Sequence, residues 1–276
     1  MALIERIGID LGRKLAVEDG IEWAAQNAVR FCDAQMDLAP NAMESFDEAR
    51  CARVRELCDA HGVALGLHTL SAVNIAEISP FLREAADAYL RAYVDLAARV
   101  GAGWVVVHAG YHFTDDRDLR MQASAERLAR AADYAEAAGV RLLLESMNRE
   151  PDRAEVHYLG FNVEECAFFF DQIRSAALRW SFTVNHAHLV PEGIDGFIDA
   201  LDLSRLDEVR IADCTGEYEV HLKPGEGNID FGRMFARLEG AGYRGHYTNG
   251  FGTLDDMLEG RRYLVERARE AGVDVD

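Results

Sequence analysis

The feature that most constrains this chain is an alternation. Eight times over, a short run of aliphatic or aromatic residues is followed by a longer segment whose apolar residues recur at helical spacing. The expected strands are residues 3–9, 30–37, 63–68, 104–108, 140–145, 180–184, 209–212 and 243–249. The expected helices are 17–29, 46–61, 80–100, 119–138, 163–175, 193–201, 230–242 and 253–271, with Gly62, Gly101 and Gly139 where helices need left-handed exits. No linker and no shift in composition interrupts the series. Such a pattern predicts a single domain, residues 1–276: an α/β (β/α)8 TIM barrel, a parallel sheet closed on itself. An open doubly wound sheet needs fewer units and a glycine-rich phosphate turn after its first strand. Here Asp10-Leu11-Gly12-Arg13 follows instead, so no nucleotide cofactor is expected.

Charge narrows the partners. Lys plus Arg number 29 against 48 Asp plus Glu, a net charge of −19 that would repel a phosphate backbone or an anionic membrane surface. Neither nucleic acid nor membrane is an expected partner. No charged-then-apolar leader opens the chain and no apolar run approaches the ~20 residues that span a bilayer, so a soluble, cytoplasmic protein is expected. Cys32, Cys51, Cys58, Cys166 and Cys214 are odd in number and unpaired in spacing, which points to buried thiols rather than disulfides or a thiolate zinc site.

In a parallel barrel, ligands gather at the carboxyl ends of the strands. The stretch Arg141-Leu142-Leu143-Leu144-Glu145-Ser146-Met147-Asn148-Arg149 shows the logic best, because an aliphatic run ends abruptly in a carboxylate. The other tips carry Asp10, Asp37, His68, His108, His186, His188, Arg210, Asp213 and Asn249. A single histidine on an apolar strand is ordinarily a hydrogen-bonded core residue. Four of them converging with a glutamate point to a shared small-molecule ligand. His68, His108 and Glu145 have the ligand types of a borderline cation, and each comes from a successive strand. His186 and His188 would alternate on one strand and face the same side, one a layer deeper. Glu219 and His221 lie in the seventh loop.

These residues carry a resemblance. Leu67-His68 with Asn74-Ile75-Ala76, Val105-Val106-Val107-His108-Ala109-Gly110, Leu143-Leu144-Glu145, His186-Ala187-His188 and Pro224-Gly225-Glu226-Gly227-Asn228-Ile229-Asp230-Phe231 together resemble the xylose isomerase-like barrel superfamily. That superfamily comprises sugar isomerases and epimerases and the endonuclease IV type of DNA repair enzyme. Glu145-Ser146-Met147-Asn148-Arg149 is also similar to the fifth-strand motif of ketose 3-epimerases, with Glu150 one residue early for that motif's later glutamate. The resemblance implies a metal held by a glutamate on the fifth strand, an aspartate on the sixth, a histidine on the seventh and a glutamate on the eighth. Only Glu145 survives. Thr183 stands in the aspartate's place, Arg210 in the histidine's, and Asn249 or Gly250 in the second glutamate's.

Two accounts follow. In the preferred one the metal is gone and Arg210, a permanent cation that cannot coordinate another, takes over its electrostatic work. In the other a divalent ion (Mn, Zn, Co or Mg) sits at a non-standard place, on His68, His108 and Glu145 or on His186, Glu219 and His221, positions resembling the outer zinc ligands of the repair enzymes. The leading expectation is an isomerase or epimerase of a small hydroxy-carbonyl, sugar-like compound working through an enediolate. Glu145, His108 and His186 would move protons and Arg210 would hold the oxyanion. His68, Asn148, Arg149, His188, Asp213 and Asn249 would contact substrate. A lyase (dehydratase or decarboxylase) shares the same intermediate, and a non-catalytic binding barrel would have lost the chemistry and kept the pocket. A repair nuclease is disfavoured by the charge. Members of the superfamily are often dimers or tetramers, so the resemblance also implies a possible homo-oligomer.

Overall fold

The computed structural model describes residues 1–276. Its strands are β1 (Ile7–Gly12), β2 (Phe31–Gln35), β3 (Ala64–His68), β4 (Trp104–Val107), β5 (Arg141–Glu145), β6 (Leu178–Thr183), β7 (Leu206–Ile211) and β8 (His246–Asn249). The long helices are α1 (Val17–Gln26), α2 (Glu48–His61), α3 (Pro80–Val100), α4 (Arg117–Ala138), α5 (Val163–Gln172), α6 (Gly193–Ala200), α7 (Phe231–Gly240) and α8 (Leu254–Glu270). Each strand pairs in parallel with its neighbours and β8 closes on β1, so the sheet is a barrel without edges. The expected TIM barrel is what the chain forms. No helix is long and apolar enough to cross a membrane.

Two expected elements differ. Residues 3–6 form a helical turn rather than the start of a strand, because the Glu5 carboxylate accepts the Ala2 N–H and Arg6 turns back to the carbonyls of Tyr243 and Gly245. The sixth strand ends at Thr183, and Val184–Ala187 is a helical turn. His186 and His188 therefore do not alternate on a strand and do not share a face. His186 is buried, whereas His188 is partly exposed and bonded to Asn228. An antiparallel ribbon of Tyr111–Phe113 with Val156–Tyr158, built from the loops after β4 and β5, was not expected either.

Where the apolar residues go decides what the barrel's interior can be. Clusters of 45 and 26 buried residues fill the layer between strands and helices, while Trp104, Val106 and Leu143 make an inner cluster of only 3. Barrel interiors are normally filled by branched aliphatics. Here the inward positions include Asp33, Ser181, Glu208, Arg210 and Thr248, all buried. Buried ions persist only when paired, so this interior is an electrostatic structure as much as a packed one.

Candidate functional site

A cavity of about 340 Å³ opens at the carboxyl ends of the strands and is lined by Asp10, His68, Glu145, Thr183, Arg210 and His221 among others. A larger one, about 810 Å³, lies at the opposite end of the barrel. There Arg141 and Arg179 are already held by Asp207, and Arg244 by Glu239, although the buried Nε2 of His246 has no hydrogen-bond partner. The chemistry converges at the smaller cavity.

Three successive strands deliver the first triad. His68 ends β3, His108 follows β4 and Glu145 ends β5. His68 Nε2 lies 3.1 Å from His108 Nε2 and 3.3 Å from Glu145 Oε2, and His108 Nε2 lies 3.1 Å from the same oxygen. Ligands about 2.0–2.1 Å from a tetrahedral ion stand about 3.4 Å apart, so these three atoms have the spacing of a metal corner. The hydrogen bonding agrees. The Thr69 hydroxyl donates to the Val106 carbonyl, so it accepts from His108 Nδ1–H, and Nε2 is left presenting a lone pair to a carboxylate. Two acceptors that close need a cation or a proton between them.

A second triad repeats the device beside it. His186 Nδ1 donates to the Ser146 carbonyl and His221 Nδ1 to the Gly250 carbonyl, at 2.8 and 2.6 Å. Their Nε2 atoms then face Glu219 Oε1 at 3.3 and 2.7 Å. Asn185 donates to that same oxygen from the turn after β6, while the buried Oε2 of Glu219 has no partner. This triad is more exposed than the first. Both sets fit a divalent cation by donor type and convergence, and the Nδ1 bonds of His108, His186 and His221 leave their Nε2 atoms free for it.

Without an ion the clusters hold protons instead. Burial and Arg210 oppose a charge on His68, but Asp10 and Glu145 more than offset them and lift it to about 9. Burial drives His108 down, so it is the neutral partner. Burial also opposes ionisation of Glu145, yet the two imidazoles hold its carboxyl well below the usual range. Glu219 is held down to about 2, its burial outweighed by His186 and His221.

Between the triads sits Arg210. It reaches up from β7 to donate to Asp10 at 2.6 Å, and its Nη1 bonds Glu208 at 3.1 Å and Asp33. Arg210 does line the mouth, although its charge is compensated by these acids and what it offers a ligand is hydrogen bonds. Asn249 turns outward to the Met257 carbonyl, so the inward place at the tip of β8 belongs to Gly250. A side chain added there would begin 3.8 Å from both Arg210 Nη2 and Asp10 Oδ2, and its absence leaves them open to the cavity.

The remaining expected substrate contacts are not brought to this cavity. Asn148 bonds Glu150, and exposed Arg149 pairs with Asp152. Asp213 accepts the backbone N–H groups of Gly225, Gly227 and Ile229, organising the Pro-Gly-Glu-Gly-Asn loop. Sequence reading passed over Thr69, Asn185, Lys14, Asp33 and Glu208. The one signal was the parity of Glu208 with Arg210, two residues on, and parity does not show that the two charges bond.

The chain matches the xylose isomerase-like TIM barrel family over residues 21–267. It is 26% identical to an uncharacterised protein of Methanocaldococcus jannaschii, over 76% of this chain and 72% of that one. It is 24% identical to a probable endonuclease 4 of Staphylococcus saprophyticus, over 77% and 74%. Among solved structures, a D-tagatose 3-epimerase-like protein superposes with a TM-score of 0.81, at 20% identity, covering 97% of this chain and 98% of the other. Fold, motifs and match agree: this chain belongs to the xylose isomerase-like TIM barrel family.

Proposed function

We propose that the protein is an isomerase or epimerase of a small sugar-like hydroxy-carbonyl compound, acting through an enediolate. The observation that carries this reading is the division of labour within one carboxylate. Glu145 Oε2 belongs to the imidazole corner, whereas Oε1 accepts the Thr183 hydroxyl at 2.5 Å and faces His186 and Arg210 Nε at 3.7 and 4.0 Å. The likeness to a tagatose 3-epimerase-like fold is in keeping with it.

Glu145 Oε1 takes the proton from the carbon next to the substrate carbonyl. The electron pair moves onto the carbonyl oxygen, which becomes the enediolate oxygen. Arg210 has five N–H groups, of which three bond Asp10, Asp33 and Glu208. Nε–H and one N–H of Nη2 remain to hold that oxygen. In epimerisation a proton returns to the other face of the same carbon as the carbonyl re-forms. In isomerisation it goes to the former carbonyl carbon while the adjacent hydroxyl passes its own proton to the enediolate oxygen and becomes the new carbonyl. Glu145 or protonated His186 is the carbon's proton donor. His68, His108 and Glu145 would hold a divalent ion, as would His186, Glu219 and His221. Such an ion would supply Lewis-acid polarisation of a substrate oxygen. The displaced-metal account thus gains support over the metal-free one, with Arg210 working beside the ion rather than instead of it.

Incubation with a panel of ketoses and aldoses in deuterium oxide tests the reading. One deuterium at the carbon next to the carbonyl, with conversion to an isomer of equal mass otherwise, is expected. Loss of water or carbon dioxide would assign a lyase, and recovery of every sugar unlabelled would assign a binding barrel.

A further inference from the structure

Two buried carboxyl groups inside the barrel have no place in the chemistry above. Asp33 on β2 and Glu208 on β7 are both 0% exposed. Strand alternation puts Glu208 one layer beneath Arg210, on the same side of β7. Arg210 Nη1 bonds both acids. Each acid is itself fixed from the far side, Asp33 by Trp104 Nε1–H at 3.0 Å and Glu208 by the Ser181 hydroxyl at 2.8 Å. Even the backbone yields to the arrangement. A Cβ at Gly66 would come within 2.1 Å of Trp104 and 2.5 Å of Asp33 Oδ1. A long arginine side chain carries several rotatable bonds, so a guanidinium held at one end only would not stay aimed.

We propose that Asp33 and Glu208 are positioning residues for Arg210, gripping Nη1 from below and so turning Nε–H and the free N–H of Nη2 into the mouth. The inference rests on the reading of Arg210 as the oxyanion donor. Asp10 completes the hold from the rim at 2.6 Å, and Gly250 leaves the aimed edge uncovered. His246, stacked on Phe31 beneath the pair, has its Nε2 3.6 Å from Glu208 and closes the network toward the other end of the barrel.

Glu208→Gln and Asp33→Asn keep size and shape while weakening one grip each. Each is expected to lower kcat 10- to 100-fold on any sugar the wild type converts, with KM changed less than threefold. A second readout does not need turnover. The Arg210 Nε–H resonance in a ¹⁵N spectrum, assigned by its loss in Arg210→Met, should be single and slowly exchanging in the wild type. In Glu208→Gln it should broaden or split and exchange at least tenfold faster. Because Arg210→Met strands two buried acids, its melting temperature should fall. The triple variant Arg210→Met/Asp33→Asn/Glu208→Gln should regain most of that loss without regaining turnover. An unchanged Nε–H signal and unchanged kcat in Glu208→Gln would overturn the proposal, as would a triple variant that melts no higher than Arg210→Met. If the wild type converts no sugar while Glu208→Gln alters the resonance as described, the positioning holds and the isomerase reading fails.

Discussion

Two clusters of metal-ligand-type side chains lie on either side of Arg210 in this barrel and have opposite capacities. His68, His108 and Glu145 converge on one point with no side-chain cation fixed between them. Asp33, Glu208 and His246 converge as closely, but a guanidinium nitrogen of Arg210 already bonds both carboxylates. The first cluster holds a proton on His68 and could hold a divalent ion in its place. The second carries its own cation. Proximity of ligand-type residues therefore does not by itself make a metal site; what decides is whether a fixed positive charge is already there, since either neutralises the buried acids.

The comparison breaks most visibly if its built-in cation is removed. Arg210→Met leaves Asp10, Asp33 and Glu208 without their common partner, and a loss of about 3–5 kcal/mol in unfolding free energy is expected by chemical denaturation. A loss under 1 kcal/mol would mean that the acids are neutral without it.

pH separates the clusters next. His68 is raised from 6.5 to about 9 in the ion-free protein. Its contribution is therefore fully present below pH 6.5 and lost as pH rises through 9. That amounts to about 3 kcal/mol. Urea midpoints of chelator-treated protein should fall across this window. An added divalent ion displaces the proton, so the loaded protein should hold or gain stability over the same range. Identical profiles with and without ion would leave His68 outside any metal site.

A smaller effect probes the tautomer. Thr69→Val removes the group that fixes His108 Nδ1–H, and divalent-ion affinity should weaken about 10- to 100-fold by titration, with little change in the ion-free fold. Smallest of all, Arg149→Ala breaks an exposed pair with Asp152 and should cost less than about 1 kcal/mol and leave turnover intact. A large loss of turnover would return Arg149 to the substrate.

The same contrast shows what a sequence displays. Eight strands and eight helices were legible because burial against the helices imposes a periodicity that α3 (Pro80–Val100) follows to both ends. His68, His108, Glu145 and Arg210 were legible because each is a polar residue ending an apolar run. The turn at Val184–Ala187 was not, since its apolar and polar residues fit a strand equally well and only Ser146, Glu219 and the loop around them settle His186. Asp33 and Glu208 were hidden for another reason. The arginine that Asp33 bonds is 177 residues away. Although Glu208 stands two residues before Arg210, strand parity alone does not announce that the two charges bond or that Asp33 joins them across the barrel.

Metal analysis of protein purified without chelator, with Glu145→Gln/His108→Ala purified alongside, tests the central claim most directly. The account predicts at least one equivalent of a tightly held divalent ion per chain in the wild type and the loss of one equivalent in the double variant. Wild-type protein that binds no ion even after titration with zinc, manganese and cobalt would contradict it, as would a double variant that retains the full complement.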